Sequence, residues 1–537
     1  MRRFWLLSVV LSLIPVTALA NAPDFTDIRI FEGQLQDGGW KQSHLRIHVY
    51  DGTPNEESPF DSYLCSDLGS GDCGYAAGKK FNLFGTVVYP TCVTSEDRIC
   101  IEKFELRKDS STWEEVEYVR SVVAPTRRAE PSIGFPDAGS ISLWRSKSVS
   151  HQGGGRDYAI YVASEGTVDR TGLWTSSSIQ AQIVPFVGSV GSFRESSLVP
   201  TEVFVSERAG YRKRIKTVLF EGGSVWSDRF GKGVRAEWSQ GVAARLTLRV
   251  PSSASGWIGG RVSDVDFDLM PIDENTNRLR ITGSPISVSE VNVRIPNADL
   301  PEAFKKEWPQ LYGGYNLTGS LYGRSARTLD ALREYTKDQA TRTRTVWGFE
   351  TVVTSSNICL ADGKRILGFV STNALAYQNS APSFEDGRLK YAVASMHRNE
   401  KGEVIQGSYD LVLRSDAARC LYGFSNAPIE AVVSVTYGDK EENISTTASG
   451  ERDGWLFISA KNFTFSNPTI EVAISQPKPT PTPTASATPT PTPTVVATPN
   501  KVVKPGSKKT ISCVKGSAVK KVTGKAPKCP KGFKKRA

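Results

Sequence analysis

Apolar and polar residues alternate with period two over Arg98–Arg107 (RICIEKFELR), Ser178–Val187 (SIQAQIVPFV) and Ala244–Val250 (ARLTLRV), the spacing of a strand with one buried face. Gly-rich and Asp-Gly turns separate such segments: Gly38-Gly39, Asp51-Gly52, Gly69 to Gly74, Gly153 to Gly155 and Gly222-Gly223. From Phe25 to Ile295 strand follows strand without an intervening helical pattern, which predicts antiparallel sheets packed as sandwiches or barrels.

The period changes at Asp299–Glu307 (DLPEAFKKE) and Ala326–Ala340 (ARTLDALREYTKDQA), where Leu329, Leu332 and Tyr335 recur at helical spacing among charges. Short helices near 299–340 are therefore expected to bridge two β regions. Strand patterns resume at Arg344–Val353 and continue through Asp410–Arg414, Ile429–Tyr437, Gly454–Ala460 and Thr469–Ile474. That stretch has the size and strand count of one immunoglobulin-like sandwich. The chain thus divides, by expectation, into an N-terminal β domain (21–170), a second β domain (171–298), a helical connector (299–343) and a C-terminal β-sandwich (344–475).

Both ends depart from this pattern. Residues 1–20 carry two arginines, an apolar run from Phe4 to Leu13 and the small-residue site Ala18-Leu19-Ala20, which reads as a secretory signal peptide cut before Asn21. The run falls short of the roughly 18 to 20 residues a membrane span requires, and no transmembrane segment is expected elsewhere. At the other end, Gln476 to Asn500 alternates Pro with Thr. Such a tract favours extended polyproline II and predicts a disordered, stiff spacer, whose threonines are candidates for O-glycosylation.

Residues 501–537 hold thirteen Lys or Arg and no acid. The formal charge of the whole chain is +10. Removing that tail and the two leader arginines leaves −5, so the basic character is local rather than general. A mildly acidic body with a cationic end is expected to attract polyanions through Lys504, Lys508, Lys509, Lys515, Lys520, Lys521, Lys525, Lys528, Lys531, Lys534, Lys535 and Arg536. For an exported chain the partners are anionic cell-envelope polymers; no helix-turn-helix, zinc-finger or RNP pattern accompanies the charge, and nucleic acid is not expected. The competing reading is a merely solubilising end.

Eight cysteines fall into three separated groups, which favours disulfides in an oxidising compartment. Cys65 and Cys73 enclose seven residues, as do Cys92 and Cys100, and the equal spacing favours two local staples, although four cysteines permit three connectivities. A structural zinc site is disfavoured by the absence of CxxC spacing and of nearby ligand histidines. Cys359 with Cys420, and Cys513 with Cys529, complete the set; the tail, poor in apolar residues, needs such a staple to hold a fixed shape.

Motifs for chemistry are sparse. Asp264, Asp266 and Asp268 alternate in SDVDFDLM, so a regular strand presents all three carboxylates on one side, a geometry that suits calcium. An EF-hand loop would need Gly and Glu where Leu269 and Asn275 stand, and a solvated polar face is favoured. His44 and His48 share a strand face in SHLRIHVY but lack a third zinc ligand, and His151 and His397 lie in no GxSxG or HExxH context. Trp226, Trp238, Trp257, Trp347 and Trp455 suit either a sugar-stacking platform or, as for most strand tryptophans, the core. No cofactor is indicated.

Several stretches carry a resemblance: Ser371–Tyr377 (STNALAY) with Ser380–Phe384 (SAPSF), Tyr409–Ile429 (YDLVLRSDAARCLYGFSNAPI), Asp453–Val472 (DGWLFISAKNFTFSNPTIEV), Gly256–Arg261 (GWIGGR), and the CVKG…KCPKG pattern within Lys508–Lys535. Together they resemble a group of large, mostly uncharacterised, secreted β-rich proteins of actinobacteria, with specificity over Val346–Ser475 and the tail. Gly259 stands where the group carries a larger polar residue. The resemblance implies an exported, surface-associated protein and brings no activity. The expectation is a non-enzymatic surface protein displaying β domains on a spacer, with carbohydrate or protein as further partners of those domains; the alternative is an exported hydrolase of polysaccharide or peptide whose catalytic residues are scattered over strands.

Overall fold

The structure, a computed structural model, describes residues 24–31, 44–50, 60–65, 80–109, 111–121, 129, 133–137, 139–168, 174–188, 198–208, 211–220, 233–308, 315–318, 322–352, 358–360, 365–378, 380–424, 430–437, 440–443, 447–465, 469–475, 509–515, 518–524, 528–531 and 533–535. The leader (1–20) and the Pro-Thr tract (476–500) lie outside them. The chain divides into a large unit, Met1–Pro477, and a small one, Lys478–Ala537.

The large unit is all-β, as the alternation predicts, and its ladders are mainly antiparallel. A central row runs through Asp157–Val168, Trp174–Gly188, Arg342–Val352, Gly256–Pro271, Ile366–Thr372, Gly407–Arg414, Trp455–Phe463 and Thr447–Arg452, each strand paired with the next. Gly256–Pro271 and Ile366–Thr372 run parallel; the other pairs are antiparallel. One face of this row packs on a second set of paired strands, Cys100–Lys108, Val242–Pro251, Thr276–Pro296 and the second half of Gly256–Pro271. The other face packs on a separate sheet containing Arg388–Ala394, Thr469–Ser475 and Glu430–Tyr437.

Alternation along Gly407–Arg414 shows how three layers arise from one pattern. Val412 enters the first core with Phe104, Leu246 and Trp347, while Leu411 and Leu413 enter the second with Tyr391, Ile470 and Val472. A strand in the middle layer is buried on both faces and so reads as a continuous apolar run. Its hydrogen-bonding groups are all taken by neighbouring strands, leaving side-chain packing to select the partners.

Expected domain boundaries run through these ladders. Asp157–Val168 pairs with Trp174–Gly188 across the 170/171 division, and Gly256–Pro271 pairs with both Arg342–Val352 and Ile366–Thr372 across the connector. The separate β domains read at 21–170, 171–298 and 344–475 are therefore corrected to one compact unit. Strand alternation fixes which face is buried, and it carries no information about which distant strand lies alongside. Two long strands do the joining: Gly256–Pro271 with 16 residues and Thr276–Pro296 with 21 each leave one sheet and enter another.

Three α-helices occur among the described residues. Helix α1 (Glu302–Glu307) follows Pro301, opens with an acid and closes with Lys305 and Lys306, in accord with its dipole. Helix α2 (Tyr322–Thr336) buries Leu329 and Leu332 against Ile28, Ile30 and Val291, as its spacing predicts, whereas Tyr335 is exposed. The strand Tyr315–Thr318 lies between these two helices. Helix α3 (Ser415–Tyr422) is not evident from the pattern; Gly423 ends it in the left-handed conformation at φ 64°.

The small unit contains a three-stranded antiparallel sheet in the order Ala518–Gly524, Lys509–Lys515, Lys534–Lys535.

Candidate functional site

Stretches far apart in sequence meet where Gly256–Pro271 turns from one sheet to the other. Gly260 stands opposite Ser371, Ser371 opposite Asp410, and Asp410 opposite Ser459, so one row crosses four strands. GWIGGR, STNALAY, YDLVLR and DGWLFISA each supply one member. Glycine is required at both ends of the closest approach. A Cβ on Gly260 would meet the Phe369 ring at 2.2 Å, and one on Gly368 would meet Trp257 at 2.4 Å.

After Gly260 the bending strand leaves the Ile366–Thr372 ladder, and side chains replace the lost pairing. The Ser371 hydroxyl donates to the Gly260 carbonyl at 3.0 Å and accepts from the Val262 amide at 2.9 Å. Arg261 is buried, donates through Nη1 to the carbonyls of Thr372 (2.6 Å) and Ala374 (2.7 Å), and lies 4.2 Å over the Tyr377 ring. A buried guanidinium held by carbonyls and an aromatic face has exchanged its hydration for fixed partners. Its role is to fix the bend.

The bend itself is a bulge between Ser263 and Asp266, with Asp264 in the left-handed region at φ 55°. That conformation turns the Asp264 amide toward Asp410, whose Oδ2 accepts it at 3.2 Å. Asp410 is 6% exposed. The ammonium that acts on it among the described residues, Lys461, pairs with Asp264. Burial pushes the Asp410 carboxyl up to about 6; the Ser459 hydroxyl and the Lys461 charge oppose this, and the Asp264 charge adds to it. The arrangement can hold and release a proton near pH 6.

The calcium reading of Asp264, Asp266 and Asp268 is corrected by the same bulge, which takes Asp264 out of line with Asp266 and Asp268. Each faces its own cation: Asp264 pairs with Lys461, Asp266 with Arg452, and Asp268 with Arg280 at 2.7 Å. Among the described residues no group of three or more His, Cys, Asp or Glu is placed to hold a metal ion. Asp268 instead belongs to a charged outer sheet face on which Arg278 and Arg249 share Glu102, and Arg245 meets Glu105.

Other expected residues are distributed as follows. Trp238, Trp257, Trp347 and Trp455 are buried, with the Trp347 indole donating to the Gly283 carbonyl and Trp455 stacked edge-on against Phe267. They form core, which corrects the sugar-platform reading for these four; Trp226 lies outside the described residues. His44 and His48 lie on the strand His44–Tyr50, and their side chains are outside the described residues. His151 is buried, its ring bonded to the Phe186 carbonyl and its pKa lowered by burial.

Two disulfides are as the spacing suggests: Cys92–Cys100 closes a local hairpin, and Cys359–Cys420 ties the segment before Ile366–Thr372 to α3. Cys529 is disulfide-bonded, while Cys73 and the side chains of Cys65 and Cys513 lie outside the described residues. Of the tail cations, Lys528, Lys531, Lys534 and Lys535 are exposed; Lys504, Lys508, Lys525 and Arg536 lie outside the described residues, as do the side chains of Lys509, Lys515, Lys520 and Lys521.

Sequence reasoning missed Asp410 and Lys461, and also a cluster of His397, Asp338 and Arg333. There the Asp338 carboxylate bonds both the His397 ring and the Arg333 guanidinium, which also donates to the Ser395 carbonyl at 3.1 Å. The cluster docks the end of α2 on the chain after Arg388–Ala394. No helix among the described residues is long and apolar enough to cross a membrane. Comparisons with family models, with curated proteins and with solved structures return no match to this chain.

Proposed function

We propose that the protein is an exported, non-enzymatic surface protein whose basic C-terminal unit grips anionic envelope polymer and so retains the β-rich body at the cell. The observation that carries this reading is the segregation of charge: a tail with thirteen cations and no acid belongs to a unit compact in itself. Lysines recur through its sheet, where Lys520, Cys513 and Lys535 lie opposite one another in one row, and Lys534 stands opposite Val514. Exposed Lys528, Lys531, Lys534 and Lys535 add cationic surface within eight residues. Lysine is a compact, hydrated point charge, suited to many weak contacts along a flexible polyanion rather than one stereospecific grip.

Body charges are spent internally by comparison, in pairs such as Arg278 with Glu102 and Arg388 with Glu471. An exported location is part of the same proposal, supported by the disulfides and by the leader pattern, and carbohydrate or protein ligands of the body are proposed with it. The test is fractionation of cells producing the full chain and a form lacking 501–537. The full chain is expected in the envelope fraction and extractable by salt, and the shortened form in the medium. Retention indifferent to both treatments would refute the proposal.

A further inference from the structure

The row through Gly260, Ser371, Asp410 and Ser459 contains a titratable group that the proposed function does not use. Asp410 is surrounded by four strands, and the ionisable groups that face it are few. The bending strand supplies Asp264, already paired with Lys461, and Asp266, paired with Arg452 of Thr447–Arg452. Ile366–Thr372 supplies Ser371 and Thr372, neither of which titrates here. Trp455–Phe463 supplies Ser459 and Lys461, and Thr447–Arg452 also carries Glu451, which is held by Arg419. On its own strand, Tyr409 lies in the second core and Arg414 is taken by Asp416. Two carboxylates, Asp264 and Asp410, therefore share one ammonium.

We propose that Asp264, Asp410 and Lys461 form a proton-binding site that pins the bend of Gly256–Pro271 to Gly407–Arg414 when occupied and loosens it when the proton leaves. With Asp410 protonated, the cluster is neutral: the Asp264 carboxylate and the Lys461 ammonium balance, and the Asp410 carboxyl still accepts the Asp264 amide. Loss of that proton leaves a net charge of −1 on the cluster, with the Asp410 carboxylate buried while the Asp264–Lys461 pair reaches solvent. The Asp264 amide and the Lys461 charge favour the carboxylate, but burial outweighs them, so that opening the bend, which lets water reach Asp410, becomes less costly once the proton has left.

The direction follows from the raised carboxyl. Its value of about 6 in the folded protein against 3.8 for the ordinary group means that the folded state holds the proton more tightly. The associated stability is complete below about pH 4, falls as pH rises through 6, and is absent above it. The span of roughly two pH units corresponds to about a hundredfold change in the folding equilibrium constant.

Unfolding of the full chain and its Asp410→Asn variant, followed by urea titration at intervals from pH 4 to 7.5, tests the site. The ratio of the two folding constants, variant over parent, should rise about a hundredfold across that range. Amide hydrogen exchange at residues 262–266, corrected for the intrinsic rate, should accelerate with pH in the parent and stay flat in the variant. Asp264→Asn provides a second route if Asp410→Asn does not fold: it leaves Lys461 to Asp410 and should move the midpoint of the exchange profile to lower pH. Parallel stability curves for parent and Asp410→Asn, or an unmoved midpoint in Asp264→Asn, would overturn the proposal.

Discussion

The body and the tail solve the problem of charge in opposite ways. In the body, arginines and carboxylates face one another across neighbouring strands, as in Arg280 with Asp268 and Arg245 with Glu105, and apolar side chains among the described residues build four buried clusters. The tail has cations without acids, and Lys528, Lys531, Lys534 and Lys535 stand exposed. Body charge is thus an element of folding, while tail charge is proposed to meet a partner outside the molecule. A region in which many arginines already face carboxylates, as Arg278, Arg280 and Arg388 do, is a poorer candidate for polyanion binding than one with cations alone.

If that division holds, changes in one region should leave the property of the other untouched. Trp347→Ala removes a fully buried indole and its bond to the Gly283 carbonyl, and is expected to cost about 3–5 kcal/mol in urea unfolding. Envelope binding of the surviving folded fraction should not change. Replacing Cys359 and Cys420 together by Ser opens a closure with a sequence separation of 61, worth at most about 4 kcal/mol by loop entropy. It should lower the melting temperature and likewise spare binding. Asp268→Asn, at a half-exposed pair with Arg280, is expected to cost under about 1 kcal/mol, and a larger loss would mean that the outer charge ladder contributes more than surface pairs usually do.

A pH scan sharpens the same division from the acid side. Arg414 and Arg365 beside Asp416 hold its carboxyl down at about 2. A lowered carboxyl contributes stability that is present above its unfolded value of 3.8 and lost as pH falls through 2. Asp416→Asn should therefore destabilise the body slightly at pH 7 and not at pH 2, the reverse of the profile expected of Asp410→Asn. The carboxylate also accepts the Ala417 amide at 2.8 Å at the start of α3, so the melting of that helix is the natural readout.

Strands were the legible part of this chain. Arg344–Val353, Ile429–Tyr437 and Thr469–Ile474 read from alternation correspond to Arg342–Val352, Glu430–Tyr437 and Thr469–Ser475 in the structure. The helical period of Leu329 and Leu332 was equally plain. Pairing was not, because a strand's sequence describes its two faces and is silent about its edges. The same limit hid the proton site: Asp410 becomes buried only when residues 260, 371 and 459 arrive from three other strands. Asp264, Asp266 and Asp268 misled for a related reason. Their alternation is real in sequence, and a single bulge after Ser263 takes Asp264 out of it.

Electrostatic retention by the tail lysines is expected to be independent of the body. It is tested most directly by the affinity of the full chain, and of a full chain with Lys528, Lys531, Lys534 and Lys535 all changed to Gln, for isolated envelope over a range of salt. At low ionic strength the fourfold variant should bind on the order of a hundredfold more weakly, at somewhat under 1 kcal/mol per exposed lysine near an anionic surface. Its dependence on salt should be shallower, and the two proteins should converge as the screening length shrinks toward about 3 Å at 1 M. Equal affinities at every salt concentration would contradict the account.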